Sequence, residues 1–321
     1  MPDADFTKVE HNYAITVQAA ANAKELRQLA NGKAAAKVGQ TATAAGTTAD
    51  YTTTGKYVCP KATGVVLLDG GKAFWDHSAR VITYKAVGDR DFYAGTIVGD
   101  AASAATTCTV NLNDEAKYLI DAAISPMHSI PVGTHAAGGF GYARRIGGTQ
   151  TLVLSSTSEA QKIDLFSLEK FAVTANPIVE FAIRVQSAPA GACDFNIGVA
   201  NDTHATDFDS LTQRLSVFID GGNTSNFLQS EDGTVSVTDT DTTTDFTAGY
   251  EASVREEWWF DCRNPADVQV YRNGVLVLDA TVFDISHMAS ELRLIAHLEK
   301  TATTDTAQIA VDWLRVRTAE Q

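Results

Sequence analysis

The chain has 321 residues, enough for one domain or, more readily, two, and its 45% hydrophobic share lets a real core form. A formal net charge of −14 argues against direct nucleic-acid binding, which needs clustered Lys and Arg to neutralise phosphate. No run approaches the ~18 apolar residues of a membrane span, and the acidic start MPDADFTKVEHNYAITVQ is unlike a signal peptide, so no membrane association and no export by a classical route are expected.

The four cysteines, Cys59, Cys108, Cys193 and Cys262, show no Cys-x-x-Cys pair and no neighbouring His cluster. That spacing argues against a zinc site and for small buried residues in a reducing compartment. Thr, Ala, Gly, Val and Asp set the texture, which favours strands and turns. The expected fold is mainly all-β: a small N-terminal β domain with an extended arm and short helices, then an antiparallel β-sandwich.

Residues 1–20 read as an arm. Phe6, Val9, Tyr13, Ile15 and Val17 are spaced by polar residues, and Tyr13 to Val17 alternates as a strand does. Ala19 to Ala36 has a helical composition interrupted at Asn31-Gly32, so a short helix ending near Leu29 or Ala30 is expected, with Gly32 beyond its C-terminus. Residues 37–54 read as loop or edge strand.

The most informative stretch runs from Gly55 to Asn113. A strand-like run (Gly55 to Val58) leads to Pro60-Lys61. Then come an apolar run (Val65 to Leu68), a turn at Asp69-Gly70-Gly71 and the sequence Ala73-Phe74-Trp75-Asp76. Gly95-Thr96-Ile97-Val98-Gly99 and a closing strand, Cys108 to Leu112, complete it. Trp75 is expected in the core, and Asp76-His77 reads as a turn rather than a metal or catalytic pair.

Asp114 to Ala123 reads as a short amphipathic helix capped by Asn113 or Asp114 and ended by Ser125-Pro126. A glycine-rich linker follows over 129–149. Its Gly138-Gly139-Phe140-Gly141 resembles a phosphate loop only superficially, because no Gly-Lys-Ser/Thr ending is present.

From Thr151 short strands alternate with Asp, Asn and Gly turns. They are expected over 151–154, 162–165, 178–185, 193–200, 213–219, 226–229, 234–237, 257–263, 268–272, 275–278, 291–298 and 308–317. This spacing is that of a β-sandwich. Asn273-Gly274 between two alternating runs is the sharpest hairpin signal, since a type I′ turn needs positive φ at both positions. In the last strand Ile309, Val311 and Trp313 are expected to point inward together. The expected divisions are residues 1–20, 21–113, 114–150 and 151–321.

The Gly55 to Asn113 order resembles the small β domain of tailed-phage capsid cement (head decoration) proteins, which carry a strand ending in Pro-Lys, a strand ending in aromatic-Trp-Asp, an apolar-Gly turn and a final alternating strand. The likeness covers roughly residues 1–113. It implies a virion structural protein, not an enzyme, on the outer capsid surface, bound to the major capsid protein as a homotrimer and using no cofactor. The arm residues Phe6, Tyr13, Ile15 and Val17 are then the expected capsid contacts. Residues 150–321 are similar to concanavalin-like (legume-lectin or laminin-G-like) jelly rolls, through EEWWFDCRNPADVQVYRNGVLV, ELRLIAHLEKT and QIAVDWLRVR.

That second likeness raises a rival reading: a carbohydrate-binding, tail-associated or cell-surface adhesin. Trp258 and Trp259 are the candidate glycan-stacking residues. Being adjacent in a strand, they face opposite sides, so one is core and the other is exposed or covered by a partner. Glycoside hydrolysis is disfavoured. Glu180 lacks an Asp at the needed spacing, and Glu257 and Asp261 lie ~13 Å apart along a strand, too far for a retaining pair. Asp202, Asp207, Asp209, Asp239 and Asp241 match no calcium loop, so no metal is expected.

Overall fold

A computed structural model describes residues 12–16, 25–38, 41–123, 125, 127–133, 140–144, 148–203, 207–288 and 291–318, with backbone alone for 12–16 and 144. The chain divides between Lys117 and Tyr118 into two compact units. The described residues contain no α-helix. Three 3-10 turns, Val173–Ala175, Phe208–Ser210 and Ala252–Val254, are the helical elements among them.

The first unit holds β1 (Asn12–Thr16), β2 (Leu26–Gln28), β3 (Ala34–Lys37), β4 (Thr48–Thr52), β5 (Lys56–Pro60), β6 (Lys72–Asp76), β7 (Val81–Thr83), β8 (Phe92–Ile97) and β9 (Thr107–Leu112). These form two antiparallel sheets in the orders β1-β4-β3-β2 and β5-β9-β8-β6-β7. The helix expected before Ala30 is replaced by a hairpin over its described part. Leu26 opposes Ala36 and Gln28 opposes Ala34, while Asn31-Gly32 forms the turn with Gly32 at φ 81°. Tertiary burial overrides alanine's helix propensity here. Ala34 and Ala36 pack into one apolar cluster with Trp75, and Ala35 packs into another with Tyr51. Only a strand can present alternate residues to two opposite faces in this way.

The second unit holds β10 (Ile120–Asp121), β11 (Met127–Val132), β12 (Gly141–Arg144), β13 (Gln150–Leu154), β14 (Glu159–Ser167), β15 (Pro177–Ser187), β16 (Cys193–Ala200), β17 (Arg214–Ile219), β18 (Ser225–Glu231), β19 (Ser236–Asp245), β20 (Glu256–Asp261), β21 (Gln269–Arg272), β22 (Val275–Val277), β23 (Arg293–Thr303) and β24 (Ala307–Thr318). One sheet runs β12-β13-β24-β15-β20-β21-β22, with β10 also on β24; the other runs β11-β14-β23-β16-β17-β18-β19. The result is an antiparallel sandwich of jelly-roll type. Its interior is filled by Phe181, Phe195, Trp258 and Phe260, each 0% exposed.

Three expectations change here. The helix expected at 114–123 is extended chain ending in β10, because Ile120 and Ala122 are buried while Leu119 is exposed, a period of two. Parts of the glycine-rich stretch are strands, with β11 paired to β14 and β12 to β13. Trp313 does not share the inward face of Ile309 and Val311. A β-bulge at Asp312 sets Val311 opposite Ile183 and Trp313 opposite Ala182, so Leu314 and Val316 take over the core positions. Asp312 is held by a fork from Arg184 at 2.9 and 2.6 Å. Asn273 (φ 51°) and Gly274 (φ 78°) make the expected hairpin turn between β21 and β22. All four cysteines are buried free thiols, with Cys59 opposite Cys108 across β5 and β9.

Candidate functional site

Local hydrogen-bonding devices hold the first unit together. Lys61, only 3% exposed, donates its ammonium to the carbonyls of Ala62, Val65 and Ala105. The Pro-Lys signal is therefore architectural: one cation closes two loops over the end of β5. Asp76 caps its turn by accepting from Ser78 N and Ala79 N, both at 2.8 Å, and from Ser78 Oγ at 2.7 Å. The Ala79 amide leads in holding its carboxyl below the usual range, with the Ser78 hydroxyl adding to it. Trp75 is 1% exposed. Asn113, at φ 56°, accepts from Ala34 N and donates to Ala34 O and Thr53 O, each at 2.8 Å, and so ties the end of β9 to the other sheet.

Of the arm residues, Phe6 and Val17 lie outside the described residues. Tyr13 and Ile15 lie in β1, opposite Tyr51 and Ala49 of β4. β1 ends its sheet order, so β4 occupies one of its edges. The other edge is where a further strand would add.

In the second unit the two candidate tryptophans part as strand geometry demands. Trp258 is 0% exposed in the sandwich core, and its indole N–H donates to Glu256 Oε2 at 3.2 Å. No sugar can stack there, which removes Trp258 as a glycan residue. Trp259 faces the other way but is 8% exposed, with its ring 6.2 Å from that of Tyr271.

The carboxylates weighed for hydrolysis are all held by arginines. Glu180 takes Arg315 Nε at 2.9 Å and Arg317 Nε at 2.7 Å. Burial alone would raise its pKa, but those guanidinium charges outweigh it and hold the carboxyl down to about 2. Glu257 pairs with Arg255 at 3.0 Å and Asp261 with Arg263 at 2.6 Å. Glu180, held ionised by its two arginines, makes a poor general acid.

The seven-stranded sheet carries a polar outer face that strand periodicity alone did not mark as special. Across it Asp164, His297, Asn196, Phe218 and Phe227 align in one row. Asn196 Oδ1 accepts from Ser216 Oγ at 3.0 Å and Gln229 Nε2 at 2.6 Å. His297, 1% exposed, has Asp164 Oδ1 at 2.5 Å from Nδ1 and Glu299 Oε2 at 3.1 Å from Nε2. Phe208 lies over it with ring centroids 5.5 Å apart. Burial would lower the imidazole pKa; hydrogen bonds to the two carboxylates overcome this and raise it to about 8. Asp194, opposite Glu299, is pushed up to about 6, chiefly by burial, with Asp220 and Glu299 adding to the rise against a hydrogen bond from Gly221. The signal available in the sequence was the polar residues alternating with core ones in Cys193 to Ala200. Their convergence with His297 depends on strand order.

Residues 8–112 match the model of a family described as phage cement protein. A search of curated proteins finds no match. Solved structures similar to this chain include the carbohydrate recognition domain of Emp47p, 12% identical, covering 62% of this chain and 94% of that one, with a TM-score of 0.42. Another is a Bacteroides ovatus GH16 protein of a mixed-linkage glucan locus, 7% identical, covering 62% and 100%, with a TM-score of 0.41. A third is a pseudo β-1,3-glucanase of Mycobacterium tuberculosis, 10% identical, covering 63% and 99%, with a TM-score of 0.42.

Proposed function

We propose that this protein is a structural component of a tailed-phage virion, decorating the outer capsid surface through its first unit and carrying the β-sandwich as an accessory domain. The match of residues 8–112 to the phage cement family carries this reading. The partner is the major capsid protein, and the decorating species is a homotrimer. β1, carrying Tyr13 and Ile15, adds to a capsid strand through the edge that no other described strand occupies. Binding to the expanded shell alone stabilises that state by mass action, which is a mechanical role needing no reactive group. Cryo-imaging of the particle tests it: hundreds of copies at regular surface positions are expected, and a handful at the tail would overturn it. Deleting residues 1–18 should empty the capsid positions; unchanged occupancy would remove the arm from the contact.

A second reading concerns the sandwich. Phe227 is half-buried beside Phe218, with ring centroids 6.1 Å apart; Gln229 lies two residues along the same strand and Asn196 two strands away, opposite Phe218. A partly exposed aromatic face is one element of a sugar-stacking site, so the sandwich is a candidate for cell-surface glycan recognition. Trp259 would join only if its cover moves. A glycan array probed with the full chain tests it, with loss of signal in Phe227→Ala expected and silence on the array counting against it.

A further inference from the structure

We propose that Asp232, Asp284 and His287 form a binding site for one divalent transition-metal ion, with zinc the best fit. Their ligand atoms all lie within 4.8 Å of one another. They come from two elements of the second unit: Asp232 follows β18 in its hairpin turn, and the other two lie in the loop from β22 to β23. One imidazole and two carboxylates are a donor set that zinc accepts, with water completing a four-coordinate shell. Calcium and magnesium favour all-oxygen shells and are poorly served by an imidazole.

The geometry is prepared on one side. The Asp232 side chain is fully buried, and its Oδ1 is fixed by Val235 N at 2.7 Å and Thr234 N at 2.8 Å. Oδ2 is thereby aimed at His287 Nδ1, 2.9 Å away. Two ligand atoms each about 2.1 Å from one tetrahedral ion stand about 3.4 Å apart, so Nδ1 and Oδ2 must separate by about 0.5 Å for the ion to replace the shared proton. Asp284 Oδ1 is held by Ser286 N at 2.8 Å, and a rotation of this half-buried side chain brings its carboxylate to the third position. The amides on Asp232 do the work that outer-shell partners do in metal sites, orienting the ligand before the ion arrives. His287 is the exposed member, with a side chain 56% accessible, and gives the ion its path in. A bound ion would clip the β18–β19 turn to the long loop before β23.

Isothermal titration of the intact, metal-stripped chain with Zn²⁺ tests this. One equivalent should bind, and His287→Ala and Asp284→Asn should each weaken it by more than the about 10- to 100-fold that losing an outer-shell partner costs. Zn²⁺ should raise the melting temperature of the parent chain and not of His287→Ala. His77→Ala, in the other unit, should bind as the parent does. Co²⁺ should give a d–d absorption band that disappears in His287→Gln, a variant that keeps the side-chain volume if the alanine form folds poorly. No stoichiometric binding, or binding unchanged in both His287 variants, overturns the proposal.

Discussion

Asp164 and His297 stand directly opposite each other on β14 and β23, with 2.5 Å between Oδ1 and Nδ1, and both side chains are sealed from solvent beneath Phe208. The imidazole is thus a buried cation between two carboxylates, and its protonation is coupled to folding. The folded pKa of about 8 exceeds the ordinary imidazole value of 6.5. Its stabilisation is therefore complete below pH 6.5 and lost as pH rises through 8. The shift corresponds to about 2 kcal/mol. Urea unfolding at pH 6 and pH 9 should show a loss of that order, and His297→Gln should flatten the profile. A parent-like profile in that variant would refute the assignment.

Asp194 acts in the same direction at lower pH. Its folded pKa of about 6 lies above the ordinary carboxyl value of 3.8, so ionisation opposes folding once pH rises between those values. Asp194→Asn should be more stable than the parent at pH 7.5 by about 1 kcal/mol, discounted for solvent screening, with no gain at pH 3.5. The Gly221 amide bond at 3.2 Å survives because asparagine keeps an acceptor. Equal denaturation midpoints at pH 7.5 would contradict this.

Glu180 carries the opposite sign. Its carboxyl is held down to about 2 against an ordinary value of 4.5, so its stabilisation is present above pH 4.5 and lost as pH falls through 2. Glu180→Gln strands Arg315 and Arg317, both under 10% exposed, without their counter-charge. A loss of about 3–5 kcal/mol is expected, the usual cost of breaking a buried pair. A midpoint shift below a quarter of that would mean that solvent reaches the arginines.

In the first unit Lys61→Met should cost about 3 kcal/mol. The methionine keeps the buried stem but leaves the carbonyls of Ala62, Val65 and Ala105 without their donor. Trp75, the tryptophan of that unit, reports its unfolding by fluorescence, and an unchanged midpoint would show that water replaces the ammonium.

Asn113→Ala removes three hydrogen bonds to Ala34 and Thr53 at a residue with φ 56°. About 2–4 kcal/mol should be lost, from unpaired groups and left-handed backbone strain together. Amide exchange should rise first at Ala34; protection there as in the parent would argue against the tie.

Much of the fold was legible because strands advertise themselves by period and punctuation. The alternation in Cys193 to Ala200 and the Asn273-Gly274 turn are local signals, and each marks its element in the structure. The failures share one cause. Ala34 to Ala36 and Ile120-Asp121 lie in stretches whose local composition favours helix, and each became a strand because a neighbouring sheet offered both hydrogen bonds and burial. Trp313 turned outward because a single bulged residue, Asp312, reverses every later side chain.

What the sequence by itself determined is an acidic, two-part, β-rich chain whose first third carries the order of a cement domain, with its turns placed by glycine and asparagine stereochemistry. What only the tertiary structure decided is which polar groups meet. Asp164, Glu299 and His297 belong to distant or alternating positions that no period links in advance, and Asp232 meets His287 across 55 residues. Strand order and register bring them together, and burial then converts ordinary surface chemistry into strong coupling, because charges removed from water must find one another.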